Sequence, residues 1–308
     1  MFKRTIFKGY SLLVSVGRKT NLRKYQFIDD LNTYLRRKLK PKYIFTKRHN
    51  HKMYLDKLDN LHLSINKDWE PFQTNIIEKL VKKGEVVFDI GANIGFYTLL
   101  FSKLVGENGK VYAFEPDPET FSLLKRNIGE NNINNVVLIN KAVSNKEEKI
   151  DFYILESNTS GNSVFKENLD KVASKSIKVD SVSLDEFFGK NFKVDFVKLD
   201  IEGSELKALQ GMSKILKNSK NPTLVTEFCP VALNAVSKDI NANAKTYLEL
   251  LNSLGFKIFD IDDRIKKITS REIDDLMELY KKGFIFTNLL CIKNKDFKSI
   301  VDKLLLVE

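Results

Sequence analysis

From Glu85 onward the chain alternates between apolar runs of strand length and stretches whose apolar residues recur at helical spacing. That rhythm is the mark of stacked βαβ units around a mostly parallel sheet. Strands are predicted near Val86–Ile90, Lys110–Glu115, Val136–Asn140, Val194–Asp200, Thr223–Phe228, Lys257–Ile261 and Ile285–Ile292, with helices filling most of the gaps. The predicted class is a Rossmann-like α/β fold, doubly wound. Lys149 to Leu184 breaks the rhythm: short alternating pieces flank the polar SNTSGNS, which predicts a β-rich insertion at about 149–184. The hydrophilic segment from Asp262 to Lys282 reads as a surface helix and a loop.

Upstream of the sheet the pattern changes. Met53 to Asn66 partly alternates, as one or two edge strands would, and a helix is predicted from Thr74 to Lys82. Residues 1–52 form a basic, helix-prone extension, 53–84 a lead-in, and 85–308 the main domain. Phe2, Ile6, Phe7, Tyr10 and Leu13 fall at spacings that share one helical face. The net charge of +11 is concentrated here, since residues 1–50 carry fourteen Lys/Arg against Asp29 and Asp30, leaving the remainder at −1. A basic arm with an apolar face can make peripheral contact with an anionic membrane surface, bind a phosphorylated substrate or nucleic acid, or serve solubility and packing alone, and these readings stay open. No run approaches the ~20 apolar residues of a spanning helix, and no small-residue cleavage site follows the opening segment, so neither a spanning segment nor a signal peptide is expected. Cys229 and Cys291 sit in apolar strands and read as buried free thiols, which predicts a cytoplasmic setting, peripheral at the inner membrane face if the arm binds there.

The sharpest chemical signal is VVFDIGANIGFYT, an apolar strand running through a glycine turn into a helix. Gly91 and Gly95 permit positive φ and leave no Cβ between backbone and ligand, while the amides of the helix start offer donors. The spacing Asp89-x-Gly91-x-Asn93-x-Gly95 departs from the dinucleotide fingerprint G-x-G-x-x-G. It fits instead the methyltransferase pattern of an acid followed by Gly-x-Gly/Asn-x-Gly, which predicts S-adenosylmethionine as cofactor. The next strand ends on Glu115, 24 residues after Gly91, where a carboxylate can accept both hydroxyls of a ribose.

These strings, with VYAFEPDPETF, SLDEFF, KLDIEGSELKALQG and PTLVTEF, make the chain resemble the FkbM-type family of S-adenosylmethionine-dependent methyltransferases over roughly Met53 to Ile292. The resemblance implies an antiparallel last strand and methyl transfer onto a hydroxyl of a sugar, glycan or natural product. It also implies cofactor contacts at Asp89, Gly91, Asn93, Gly95 and Glu115, and near Ala142 and Val143. Glu70, in WEPF, resembles the family acid that precedes the first helix and is expected near the methionine end of the cofactor.

Asp200 ends the fourth strand at the carboxyl edge, where open α/β sheets hold their ligands. Asp200, Glu202 and Glu227 are therefore the candidates for handling the acceptor and its proton, since methyl transfer requires alignment of an oxygen and a base to take its hydrogen. Glu202 and Glu205 also read as first-turn acids of the following helix. His49, His51 and His62 all precede the main domain, so a histidine base would require the lead-in to fold over the sheet edge. Asp200 and Glu227 end neighbouring strands, but two carboxylates make a weak magnesium site, and no metal is expected. A nucleic-acid methyltransferase is the alternative enzyme, against which Asp200-Ile201-Glu202-Gly203 stands where an Asn/Asp-Pro-Pro-aromatic segment would be needed; nucleic acid is thus not an expected partner. A non-catalytic module that keeps the fold is the alternative outside enzymes.

Overall fold

The computed structural model describes residues 37–155, 174–235, 242–280, 286–293 and 297–305, with isolated positions before residue 37. The chain divides into two compact units, Met1–Trp69 and Glu70–Glu308. The break falls at residue 69/70 rather than at 52/53 or 84/85, so the helix before the sheet belongs with the sheet.

In the first unit, strands β1 (Tyr43–Phe45) and β2 (Lys52–Tyr54) pair antiparallel with Ile44 opposite Met53. Ile44 and Met53 are buried while Tyr43 and Phe45 are exposed, the period-two alternation of a half-covered ribbon. The ribbon thus begins before the predicted edge strands, and Leu63–Asn66 is a short helix (α1) rather than strand. The reason is local: Asp59 accepts bonds from the Ser64 amide and hydroxyl, which closes a helical turn. Of the residues predicted to share one face of the arm, Phe2 and Leu13 lie outside the described residues. Ile6 is exposed, but Phe7 and Tyr10 are buried with ring centroids 5.8 Å apart. Those two rings are withdrawn from any surface the arm presents.

The second unit opens with α2 (Pro71–Leu80), three residues earlier than predicted, because Pro71 presets the first helical φ. It continues β3 (Val86–Ile90), α3 (Phe96–Val105), β4 (Lys110–Phe114), α4 (Pro118–Gly129), β5 (Val136–Ile139), β6 (Ala142–Val143), β7 (Glu148–Leu155) and β8 (Ser174–Val182). Then follow α5 (Leu184–Phe187), β9 (Phe196–Leu199), α6 (Glu205–Gly211), α7 (Ser213–Asn218), β10 (Thr223–Phe228) and α8 (Pro230–Leu233). The remainder is α9 (Ala242–Ser253), β11 (Lys257–Asp262), β12 (Lys267–Ser270), α10 (Ile273–Tyr280), β13 (Thr287–Ile292) and α11 (Phe297–Leu305).

The main sheet runs β12-β11-β13-β10-β9-β3-β4-β5. Neighbours from β10 to β5 are parallel, and β13 lies antiparallel between β10 and β11, as the resemblance implies. Chain order reverses between β3 and β9, which opens a crevice at their carboxyl ends. Central strands are buried on both faces and so read as unbroken apolar runs: Val87, Phe88, Ile90, Phe196, Val197 and Leu199 are each at most 1% exposed. The β-rich insertion is a separate sheet of order β6-β8-β7, with the SNTSGNS segment outside the described residues. Strand β12 stands where a loop was predicted, because a four-residue polar edge strand has no apolar period to betray it.

Candidate active site

The strand-to-helix turn after β3 carries the first half of the site. Gly91 (φ 86°), Asn93 (φ 50°) and Gly95 (φ 96°) are all left-handed, and asparagine is the side-chain residue that best tolerates that region. Gly91 has a second constraint: a Cβ there would lie 1.9 Å from the backbone oxygen of Asp200. The loops following β3 and β9 therefore touch, and only glycine lets them. At Gly95 a Cβ would meet Leu124 Cδ1 at 2.6 Å, so this residue serves the packing of α3 against α4.

Glu115, at the end of β4, is buried and accepts from the Asn93 amide (2.9 Å) and the Asp117 amide (3.0 Å). Burial pushes its carboxyl up to about 8, against the two backbone donors that favour the charged form. Asp89 is buried beneath the turn and accepts from the Thr98 hydroxyl at 2.5 Å. Its carboxyl is raised to about 6, again chiefly by burial.

One pocket at the sheet edge gathers Gly91, Asn93, Glu115, Ala142, Val143, Asp200 and Glu202, seven of the residues predicted from the sequence. Asp89 and Gly95 do not line it; they hold its floor and its helix. Ala142 and Val143 reach it on β6, which is positioned through Gly211, where a Cβ would sit 1.9 Å from the Ser144 carbonyl oxygen.

The second half of the site is acidic. Glu202 (φ 54°) and Gly203 (φ 99°) are successive left-handed residues that turn the chain sharply after Asp200. Asp200, Glu202 and Glu227 each offer a carboxylate oxygen within 4.8 Å of the others. The expectation of two carboxylates is thus corrected to three, a spacing that a divalent cation would fit. Glu205 is in the first turn of α6, as read from sequence, and accepts from the Ile201 amide at 3.0 Å, whereas Glu202 lies before that helix, in the turn that leads to it. Burial pushes Glu202 up to about 8 and Glu205 up to about 7, with Asp200 adding to both. Glu227 is held well above the carboxylate range by burial and then by Glu202 and Asp200, and its Oε2 has no hydrogen-bond partner among the described residues.

Glu70 does not line the pocket. It accepts from Gln73 Nε2 (2.7 Å) and the Tyr97 hydroxyl (2.9 Å), and burial lifts its carboxyl to about 7 despite the pull of Lys198. Two participants escaped the sequence reading, Tyr97 and Lys198. Lys198 is 4% exposed, and its Nζ lies 2.7 Å from Asp200 Oδ2. Its signal was present: a lysine inside an otherwise apolar central strand requires a buried counter-charge. His49 is bonded within the first unit, to Thr46 Oγ1 (2.8 Å) and His51 Nδ1 (2.9 Å). Cys229 and Cys291 are buried free thiols, as expected.

Residues 89–258 match the family described as the Methyltransferase FkbM domain. The hexuronic acid methyltransferase AglP of Haloferax volcanii is 29% identical over 149 residues, covering 47% of this chain and 59% of that protein. The 31-O-demethyl-FK506 methyltransferase FkbM of Streptomyces tacrolimicus is 47% identical over 47 residues, 15% of this chain and 18% of that one. An uncharacterised protein of Methanocaldococcus jannaschii is 36% identical over 104 residues, 32% of this chain and 39% of its own length. These alignments each span less than two thirds of the relative. Among solved structures, the FkbM methyltransferase of Methylobacillus flagellatus aligns at 16% identity over 67% of this chain and 43% of that one, with a TM-score of 0.41. With the family match spanning more than half of its length, the chain belongs to the FkbM family of methyltransferases, whose cofactor is S-adenosylmethionine.

Proposed function

We propose that the protein methylates a hydroxyl oxygen of a sugar, glycan or natural product, with Asp200 as the proton acceptor. The observation that carries this reading is the placement of the Asp200 carboxylate in the same pocket as the Gly91–Asn93 turn and Glu115. The residues fit the cofactor: the Gly91 turn leaves backbone bare, and Glu115 stands at the strand end where a ribose would need acceptors, its charged form favoured by the Asn93 and Asp117 amides. When bound, S-adenosylmethionine supplies an electrophilic methyl group. The turn and Glu115 hold and orient it, and Ala142 and Val143 give apolar walls.

Asp200 then takes the hydroxyl proton as the new bond forms, the moment at which that hydrogen becomes acidic. Glu202 and Glu227 serve differently. Burial raises both carboxyls, which favours their protonated forms as hydrogen-bond donors to acceptor oxygens. The names of the two curated relatives, a hexuronic acid methyltransferase and an O-demethyl-FK506 methyltransferase, support an oxygenated acceptor.

The test is transfer of labelled methyl from S-adenosylmethionine to a panel of glycosides that includes p-nitrophenyl β-D-glucuronide. The expected product is an ether whose label survives mild alkali. Label released by alkali marks a methyl ester and overturns the hydroxyl reading; label in neither form, across sugars and polyketide alcohols, overturns the acceptor class.

A further inference from the structure

Strand β9 reads Phe-Val-Lys-Leu, and its lysine lies in the middle of the molecule. In the register of the sheet Lys198 stands beside Asp89 of β3, so their side chains share a face, and Asp200 follows two residues later on that same face. Tyr97 from α3 closes the space, with Lys198 Nζ 4.6 Å from the centroid of its ring. A lysine this buried carries a desolvation cost that only close counter-charges offset. Burial pulls its ammonium toward neutrality, and the carboxylates of Asp200 and Glu70 outweigh that pull, so the group stays charged.

The donors around this ammonium are not shared evenly. Asp89 has the Thr98 hydroxyl, and Glu70 has Gln73 and Tyr97. Among the described residues, Asp200 has one side-chain donor, Lys198, at 2.7 Å on Oδ2. Its other oxygen is left for the pocket, where the side chain is 29% exposed. We propose that Lys198 is a positioning residue for methyl transfer: it pins one oxygen of Asp200 so that the other meets the acceptor hydroxyl. The proposal rests on the reading of Asp200 as proton acceptor. Lys198 itself touches neither the acceptor nor the cofactor. Its effect passes through Asp200, and misplacement of a reacting group by about 1 Å can cost on the order of 10²-fold in rate.

A double-mutant cycle separates this role from a general structural one. Turnover of p-nitrophenyl β-D-glucuronide is measured for the wild type, Lys198→Met, Asp200→Asn and the double variant, with the affinity for S-adenosylhomocysteine alongside. Lys198→Met is expected to lower kcat on the order of 10²-fold, with KM for the glycoside and the S-adenosylhomocysteine affinity within about threefold of wild type. The double variant should be no slower than Asp200→Asn, since Lys198 then has nothing left to position, and Lys198→Arg should recover part of the loss. A full kcat in Lys198→Met overturns the proposal, as do losses that multiply in the double variant. Full turnover by Asp200→Asn instead removes the base reading of the preceding section. The cycle is also followed by urea unfolding, which needs no turnover. Asp200→Asn should destabilise by stranding a buried cation, and adding Lys198→Met should restore part of that stability; additive effects overturn the pairing.

Discussion

The two halves of the pocket are built by different means. On the side proposed for the cofactor the work is done by backbone: three left-handed residues, a Cβ-free approach at Gly91, and amides of Asn93 and Asp117 that hold Glu115 in place. On the side proposed for the acceptor it is done by side chains, with the carboxyl groups of Asp200, Glu202 and Glu227 clustered and Lys198 paired with Asp200. Backbone geometry suits a ligand whose shape does not change. A cluster of carboxyl side chains on a turn suits acceptors of varied shape that share only an oxygen and its proton.

The largest expected effect breaks the acceptor half alone. Asp200→Asn keeps the shape of the side chain and removes the base, so kcat for glycoside methylation should fall about 10²- to 10⁴-fold, as steady-state assays would show. Retained turnover would put the proton elsewhere. Next in size is Gly91→Ala, which should damage both halves at once. Its Cβ meets the Asp200 carbonyl, a backbone atom, at 1.9 Å. Overpacking of this kind costs about 1–3 kcal/mol, and the left-handed φ adds about 1–2 kcal/mol. A side chain at Gly91 therefore does more than fill the approach to a ligand. Thermal unfolding should show a clear loss of stability together with lost S-adenosylhomocysteine affinity, and an unchanged melting temperature would contradict the contact.

A smaller effect comes from buried acids common to both halves. Asp89 (about 6), Glu70 and Glu205 (about 7), and Glu115 and Glu202 (about 8) all hold their protons to higher pH in the folded chain than their ordinary values of 3.8 for Asp and 4.5 for Glu allow. The folded state then binds more protons than the unfolded one, so stability is full below about pH 4 and declines as pH rises toward 8. The urea midpoint of the ligand-free protein should be lower at pH 8.5 than at pH 5.5, and Glu115→Gln should lessen the difference. A midpoint that rises over that interval would count against these protonated acids. The smallest effect is none. Asp200 Oδ2 is already engaged by Lys198, so methylation should continue in EDTA. Activity lost to chelator and restored by magnesium would give the carboxylate cluster to a cation.

Much of the cofactor half was legible from the chain. Gly91, Asn93 and Glu115 sit in one contiguous strand-turn-helix-strand segment, and local spacing carries their geometry. The acceptor half was legible only in its strand-end acids. Glu202 joins Asp200 and Glu227 through a left-handed turn at a non-glycine residue, which no apolar period announces. Tyr97 was passed over because it sits within an apolar run and reads as core filling, whereas Lys198 broke such a run and its need for a counter-charge went unread. The same blindness affected the arm, where helical spacing grouped Phe7 and Tyr10 on a free face although both are buried. Periodicity identifies which residues share a face and leaves open what covers it.

The division of labour is tested most directly by calorimetric titration of S-adenosylhomocysteine into wild type, Glu115→Ala and Asp200→Asn. Removing the ribose acceptor should weaken binding by about 1.5–3 kcal/mol, while Asp200→Asn should bind within about threefold of wild type. Full affinity in Glu115→Ala, or its loss in Asp200→Asn alone, would contradict a pocket in which one half holds the cofactor and the other handles the acceptor.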